Sequence, residues 1–197
     1  AIGFNNKVPL VLSRRVDFPI KKGWLSKLKY NHKSIAKILC VSDTIKKITA
    51  EGIKDVSKLA TVYSGIDLEK FKIPANKLRA EFGIDKSEFL IGNTSALADH
   101  KDYFTFIDTA EIVLSENKRC RFIIIGDGPL KKEITAYASS KNLADRLLFS
   151  GFRNDIPSVL GELDLFLITS KTEGLGTSIL DAFACKVPVV ATNGGGI

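Results

Sequence analysis

Residues 171–197, KTEGLGTSILDAFACKVPVVATNGGGI, read in order as a polar loop, a short helix opened by glycines, a buried strand and a second glycine loop. Gly174 and Gly176 let the backbone come close to a ligand. A helix starting near Thr177 offers that ligand unpaired N–H groups and the positive end of its dipole. This is the pattern of a phosphate site at a strand edge, and nothing in it requires a metal. Glu173 sits in the loop, and Asp181 falls four residues into the helix on the face of Thr177. A carboxylate on either side of an anion site suits a ligand that also brings hydroxyl groups, such as a ribose or a sugar.

Outward from this stretch the apolar period changes repeatedly between strand-like runs and helical patterns, which predicts an α/β doubly wound architecture. Strands are expected at Val8–Ser13, Lys37–Val41, Lys58–Tyr63, Phe89–Thr94, Arg121–Ile125, Leu147–Phe149, Leu163–Ile168 and Val187–Ala191. Helices are expected at Leu25–Ala36, Asp43–Glu51, Tyr103–Ser115, Leu130–Ser140, Ile156–Glu162 and Thr177–Cys185. Ser42 stands where an N-cap belongs, and Pro129 fits a first helical turn. Five strand-and-helix units after residue 85 make one nearly complete Rossmann-like domain, and three strands before Tyr63 make the tail of another. The turn-rich segment Ser64–Ala75, SGIDLEKFKIPA, lies between them.

The stretch at 171–197 resembles the signature of the retaining, nucleotide-sugar-dependent glycosyltransferases of family 4 (group 1). In that family one Glu is followed, after seven residues, by a second within a run like E-G-x-G-x-x-x-x-E-A-x-A-x-x-x-P-V-V-A-T-x-x-G-G. Glu173, Gly174, Gly176, Ala182, Ala184, Pro188, Val189, Val190, Ala191, Thr192, Gly195 and Gly196 stand at matching places. Asp181 replaces the second Glu. By resemblance that residue holds the ribose hydroxyls, and Asp is one methylene shorter, roughly 1.5 Å, which leaves a tighter, a water-bridged and a lost contact open. Gly65, Asp67 and Phe71 match the family's interdomain element N-G-V-D-x-x-x-F, with Ser64 at the Asn place.

The resemblance implies a GT-B fold, with two Rossmann-like domains. Residues 1–65 would be the C-terminal part of the N-terminal, acceptor-side domain, 66–84 an interdomain linker, and 85–197 a nucleotide-sugar-binding domain truncated at its C-terminus. On this reading the chain is a fragment that would not turn over alone, since the acceptor site and a His-bearing catalytic loop belong to the first domain in relatives.

Lys101 follows the strand at Phe89–Thr94 through the loop SALADH, where the open edge of a parallel sheet binds ligands. The family carries G-R-L-x-x-x-K here, with both cations on the diphosphate. Aligned on Lys101, the Arg place is Ala96, and losing one charge-assisted hydrogen bond costs roughly 1.5 to 3 kcal/mol. A solvated loop lysine is the alternative for Lys101. Gly126-Asp127-Gly128-Pro129 resembles the family's G-D-G-P turn near the nucleotide, although a plain tight turn reads the same. Gly151-Phe152-Arg153 resembles the segment that lines the base pocket, against the alternative of a core Phe152 and a surface Arg153.

The net charge of +7 is uneven: residues 1–60 hold 13 Lys/Arg against 4 Asp/Glu. Trp24–Lys37 would place Leu25, Leu28, Ile35 and Ala36 on one helical face among lysines. Segment 14–47 is thus a candidate for peripheral contact with an anionic membrane, with a solvated helix as the alternative. No interleaved aromatic platform accompanies the charge, which argues against nucleic acid. Cys40, Cys120 and Cys185 are widely spaced and read as reduced thiols of a cytoplasmic protein. With His32 and His100 as the two histidines, neither a zinc site nor a histidine-based triad is expected.

The expected function is transfer of a hexosyl group from a nucleotide-diphospho-sugar to a glycan or lipid-linked acceptor, with retention and without a metal or cofactor. Lys101 and the amides from Gly174 through Leu175 and Gly176 to Thr177 would neutralise the departing diphosphate. Glu173 would contact the donor sugar, Asp181 the ribose, and Phe152, Arg153, Gly126 and Gly128 the nucleotide. A catalytically weakened nucleotide-sugar-binding protein and a nucleotide-sugar epimerase of the same fold stay open as alternatives.

Overall fold

The structure, a computed structural model, describes residues 8–72 and 77–197. The described residues form two compact units. The first runs to Ser64 and includes Thr172–Gly176 and Gly194–Ile197, while the second comprises Gly65–Lys171 and Thr177–Asn193. Residues 73–75 of the expected interdomain element lie outside the described residues. Its Leu68–Phe71 part is a short 3-10 turn, started by Asp67, whose carboxylate accepts from the Glu69 N–H at 3.1 Å.

In the first unit β1 (Leu10–Arg14), β2 (Ile35–Cys40) and β3 (Leu59–Thr61) pair in parallel in that order. Helix α1 (Trp24–Tyr30) links β1 to β2, and α2 (Asp43–Ala50) links β2 to β3. Helix α2 begins at Ser42, whose hydroxyl accepts from the Ile45 N–H, and it buries Ile45 and Thr49. Ile35, Ile38 and Cys40 of β2 pack with Ile45 and Leu59.

Helix α1 corrects the sequence reading, which carried it on to Ala36. It stops at Tyr30 because Asn31 turns its side chain back: the amide donates to Lys27 O (2.8 Å) and Gly52 O (3.0 Å) and accepts from Lys54 N (2.7 Å). Ile35 and Ala36 then open β2, with Ile35 beside Leu10. The amphipathic face read from the sequence is therefore divided. Ile35 is buried in the sheet, and Trp24, Leu25 and Leu28 are exposed on a helix that buries none of its residues.

The second unit contains β4 (Phe89–Thr94), β5 (Cys120–Ile125), β6 (Leu147–Gly151), β7 (Leu165–Ile168) and β8 (Val189–Ala191), all parallel, in the order β6-β5-β4-β7-β8. The helices are α3 (Leu78–Glu81), α4 (Tyr103–Glu116), α5 (Lys131–Ser140), α6 (Ile156–Leu160) and α7 (Thr177–Ala184). A parallel sheet covered on both faces needs near-continuous apolar strands, and Phe122, Ile123, Ile124 and Ile125 of β5 are buried in succession. Phe106 of α4 meets Phe122 edge to face, with ring centroids 5.8 Å apart. Burying such a side chain stabilises by about 2–3 kcal/mol.

Residues in the left-handed conformation end several helices. Lys186 (φ +60°) turns the chain after α7 so that Val187 N donates to Ala182 O, which delays β8 to Val189. Asn142 (φ +57°) does the same after α5.

The N-terminal edge of this sheet is tied by ion pairs. The Glu162 carboxylate accepts the first free amides of α3, Leu78 N and Arg79 N, both at 2.8 Å. Arg79 reaches Asp164 (2.6 Å), which also accepts from Leu90 N. Glu88 lies between Arg121 (2.9 Å) and Arg146 (2.7 Å), and these partners hold its carboxyl below the usual range. A lowered folded-state pKa means that the stabilisation is present above the unfolded-state pKa and is lost as pH falls through the folded one. Glu88→Gln is therefore expected to cost about 2 kcal/mol at neutral pH, with the gap from wild type closing on acidification. Urea unfolding of both proteins across pH checks this, and a gap independent of pH would contradict it.

Candidate active site

The strand order puts β4 at the centre: the chain runs from β4 through β5 to β6 on one side, then crosses from β6 to β7 on the other, so the direction of winding reverses at β4. That opens a crevice at the C-terminal ends of the strands, where open α/β sheets take ligands. A cleft of about 420 Å³ lies there in the second unit, within the range of small-molecule sites. Thr94, Ser95 and Ala96 after β4, Gly126 and Asp127 after β5, Phe152 and Arg153 after β6, Ile156 of α6, and Thr177, Ser178 and Asp181 of α7 line it.

The floor is stitched together by backbone. Ser95 N donates to Ile125 O, Leu97 N to Asp127 O, Leu130 N to Leu97 O and Gly126 N to Gly151 O. Gly126, at φ +152°, sits so close to the Ser95 carbonyl that a Cβ would collide with it. A Cβ on Gly128 would lie 2.6 Å from both Leu97 N and Leu97 O. These glycines thus bring the ends of β4 and β5 together. Gly126 lines the cleft, and Gly128 supports it from behind.

Below the cleft, Asn93 donates to Leu167 O (2.6 Å) and accepts from the Tyr103 hydroxyl (3.0 Å), and that hydroxyl meets Ser95 Oγ at 2.7 Å. The buried Asn93 amide is thereby hydrogen-bonded through both its nitrogen and its oxygen.

Each charged wall residue has a distinct environment. The Arg153 guanidinium is shared between Glu81 (2.9 and 2.8 Å) and Asp155 (2.8 Å from two nitrogens), which hold it still more firmly protonated. Asp127 pairs with Lys131 at 2.8 Å and accepts from Gly128 N, which lowers its carboxyl below the usual range. Asp181 differs from both. Burial alone lifts its carboxyl above the ordinary value, with no neighbouring cation to oppose the shift. A half-buried carboxylate of this kind gains from a ligand that donates hydrogen bonds to it. Phe152 projects into solvent, 74% exposed, so it is the loop residue of its pair and not a core residue.

Of the residues named from sequence, Gly126, Phe152, Arg153, Thr177 and Asp181 meet at this cleft. Lys101 ends a short 3-10 turn, Asp99–Lys101, in the loop after β4, and the Thr169 hydroxyl donates to its carbonyl at 3.3 Å. Asp102 follows it in the left-handed conformation (φ +48°) and caps α4.

Glu173, Gly174, Leu175 and Gly176 belong to the first unit. There Leu175 packs on the apolar core, and a Cβ on Gly174 would lie 2.6 Å from Arg15 O. The sequence reading missed Thr94, Ser95, Ile156 and Ser178. The end of the first strand at the crossover reversal was the available signal for the first two. No group of His, Cys, Asp and Glu suited to a metal ion occurs among the described residues.

Residues 74–197 match the family described as Glycosyl transferases group 1. The chain belongs to this family. Among its curated relatives, the UDP-Gal:alpha-D-GlcNAc-diphosphoundecaprenol alpha-1,3-galactosyltransferase of Escherichia coli is 30% identical over 168 residues, covering 82% of this chain and 43% of that protein. The N-acetyl-alpha-D-glucosaminyl L-malate synthase of Bacillus anthracis is 30% identical over 161 residues, covering 81% and 42%. HepE of Anabaena, solved in complex with UDP and glucose, superposes with a TM-score of 0.83 at 24% identity, covering 95% of this chain and 54% of HepE. The chain thus spans less than half the length of these curated relatives. Its fold is that of the GT-B glycosyltransferases.

Gly126→Ala in this family member is expected to cost about 3 kcal/mol, from backbone strain and the collision with Ser95. Denaturant unfolding checks this, and an unchanged stability would contradict the tight-approach role.

Proposed function

We propose that residues 85–197 form the nucleotide-sugar-binding domain of a retaining, metal-independent hexosyltransferase, joined through a linker at 66–84 to an acceptor-side domain that includes residues 1–65. The observation that carries this reading is the cleft at the crossover reversal. It is walled by the first turn of α7 and holds a half-buried carboxylate, Asp181, whose charge no cation offsets.

In this reading Thr177 and Ser178 at the start of α7 take the diphosphate, and Asp181 accepts the ribose hydroxyls. Phe152 gives a flat apolar face for the base. Lys101 stabilises the leaving diphosphate, and Glu173, four residues before α7 in the chain, contacts the donor sugar. Charge on the leaving group grows in the transition state, so donors aimed at it lower the barrier without Mg²⁺. The acceptor is a glycan or a lipid-linked glycan.

A second reading, a nucleotide-sugar-binding protein with weakened catalysis, is favoured by Ala96. It lines the cleft where the family places an Arg, and the Arg153 charge is already matched by Glu81 and Asp155.

Calorimetric titration of the full-length protein with UDP, GDP, ADP and their glucose conjugates tests the site. One nucleotide should bind saturably, and Lys101→Ala should weaken it. Asp181→Asn should weaken it by about tenfold or more. The raised folded-state pKa of Asp181 means that its carboxylate costs stability as pH rises through that pKa. Asp181→Asn should therefore raise the unfolding temperature at neutral pH. Wild-type affinity should also begin to fall, on acidification, at a higher pH than an ordinary aspartate would give, and the variant should flatten that fall. Absence of binding to a well-folded protein would overturn the reading. Donor turnover in EDTA with an axial-to-axial product by NMR supports metal-free retention. Binding without turnover supports the weakened protein, and an isomerised donor supports an epimerase.

Peripheral contact with an anionic membrane through residues 14–47 is part of the proposal. Trp24, Leu25 and Leu28 are exposed beside Lys21, Lys22, Lys27 and Lys29, and lysines near anionic lipid contribute about 1 kcal/mol each. No helix among the described residues is long and apolar enough to cross a membrane. Co-sedimentation should occur with phosphatidylglycerol vesicles and not with phosphatidylcholine, and Lys27→Glu with Lys29→Glu should cut it by about tenfold or more. Equal binding to both vesicle types would remove this contact.

A further inference from the structure

Within the first unit, the glycine loops at 172–176 and 194–197 meet the start of α2, more than 120 residues away in the chain. The buried Ser42 hydroxyl donates to Gly174 O at 2.7 Å while its oxygen accepts from Ile45 N at 3.3 Å. Thr44 Oγ1 donates to Gly195 O at 2.9 Å. Between the loops, Gly196 N donates to Glu173 O at 2.8 Å. The carbonyl of Glu173 and the carbonyl of the next residue are thus both held, one by the second glycine loop and one by Ser42.

The close approach depends on missing side chains. A Cβ on Gly195, at φ +69°, would lie 2.5 Å from Glu173 O and 2.7 Å from Glu173 N, and one on Gly196 would strike Gly174 O and sit 2.7 Å from Ser42 Oγ. On the far side Gly174 has no room for a Cβ against Arg15 O, and Leu175 is anchored in the apolar core. The backbone that bears Glu173 is therefore fixed from three directions.

We infer that Ser42 and Thr44 are positioning residues for Glu173: by hydrogen-bonding the two glycine loops they fix the backbone that carries its carboxylate. The inference rests on the role proposed above for Glu173. Pre-organisation of this kind acts on the rate of the chemical step and leaves nucleotide binding at α7 unchanged, because a reacting group displaced by about 1 Å loses rate steeply.

The test separates this role from the helix-capping role of the same serine. Ser42→Asp keeps an oxygen to accept the Ile45 N–H, so α2 stays capped, but has no proton for Gly174 O. Ser42→Thr keeps both functions. Thr44→Val removes the second clamp without touching the cap, and serves if Ser42→Asp fails to fold.

In the full-length protein, release of nucleoside diphosphate is followed with whichever of UDP-glucose, GDP-mannose and ADP-glucose binds. The expected result, measured well below each variant's unfolding temperature, is kcat down about tenfold or more in Ser42→Asp and in Thr44→Val, with KM and nucleotide affinity near wild type, and recovery in Ser42→Thr. Glu173→Ala runs beside them. If it is inactive while Ser42→Asp and Thr44→Val turn over at the wild-type rate, the positioning inference fails and the Glu173 role stands. If Glu173→Ala itself keeps the wild-type rate, the Glu173 role fails and takes the positioning inference with it.

Discussion

In the second unit the C-terminal end of β4 lies against the turn after β5 at van der Waals limit, with Gly126 facing the Ser95 carbonyl and Gly128 the Leu97 backbone. The rest of the cleft follows from that approach. It brings two strand ends together without intervening side chains, so backbone amides and short hydroxyl side chains form the floor. It also leaves the opposite side, after β7, for the first turn of α7. A Cβ at Gly126 would separate the two ends and remove the floor on which Ser95 and Ala96 stand. The opening is therefore a property of backbone geometry, and the residues that line it stand at positions that geometry provides.

Charge is distributed unequally between the two ends of this sheet. At the N-terminal edge, Glu88, Arg79, Asp164 and Glu162 are matched by partners at 2.6–2.9 Å and close the strand ends and the start of α3. At the C-terminal edge, Arg153 and Asp127 are matched as well, while Asp181 carries a carboxyl lifted by burial alone. Leaving one half-buried carboxylate without a cation costs stability, which sets Asp181 apart from the paired charges around it. Ala96 lines the same edge and adds no cation to it.

Much of the fold could be read from periodicity. β4 was placed residue for residue at Phe89–Thr94, and α4 and α5 came within one residue, because a buried parallel strand and a long amphipathic helix carry strong apolar patterns. Helix α1 failed for a reason that periodicity does not contain. Asn31 folds back on Lys27 and is held by Gly52 and Lys54, residues more than 20 positions away. The start of β8 shifted because Lys186 adopts a left-handed conformation that an L-residue other than Gly, Asn or Asp rarely signals.

The sequence by itself determined the class of the molecule and the chemistry of its loops. Glycines at 174, 176, 195 and 196, a carboxylate at 173 and another at 181 set the spacing of a family whose motif is local, since a helix start and its preceding loop are contiguous in the chain. Tertiary structure alone decided how those loops are held and what the charged residues can do. Ser42 and Thr44 meet Gly174 and Gly195 through hydrogen bonds spanning more than 130 residues. Arg153 is occupied by Glu81, 72 residues away, and Asp181 is left with its charge unmatched. Hydrogen bonding and desolvation depend on distance in space, and no spacing along one chain encodes which distant residue will arrive.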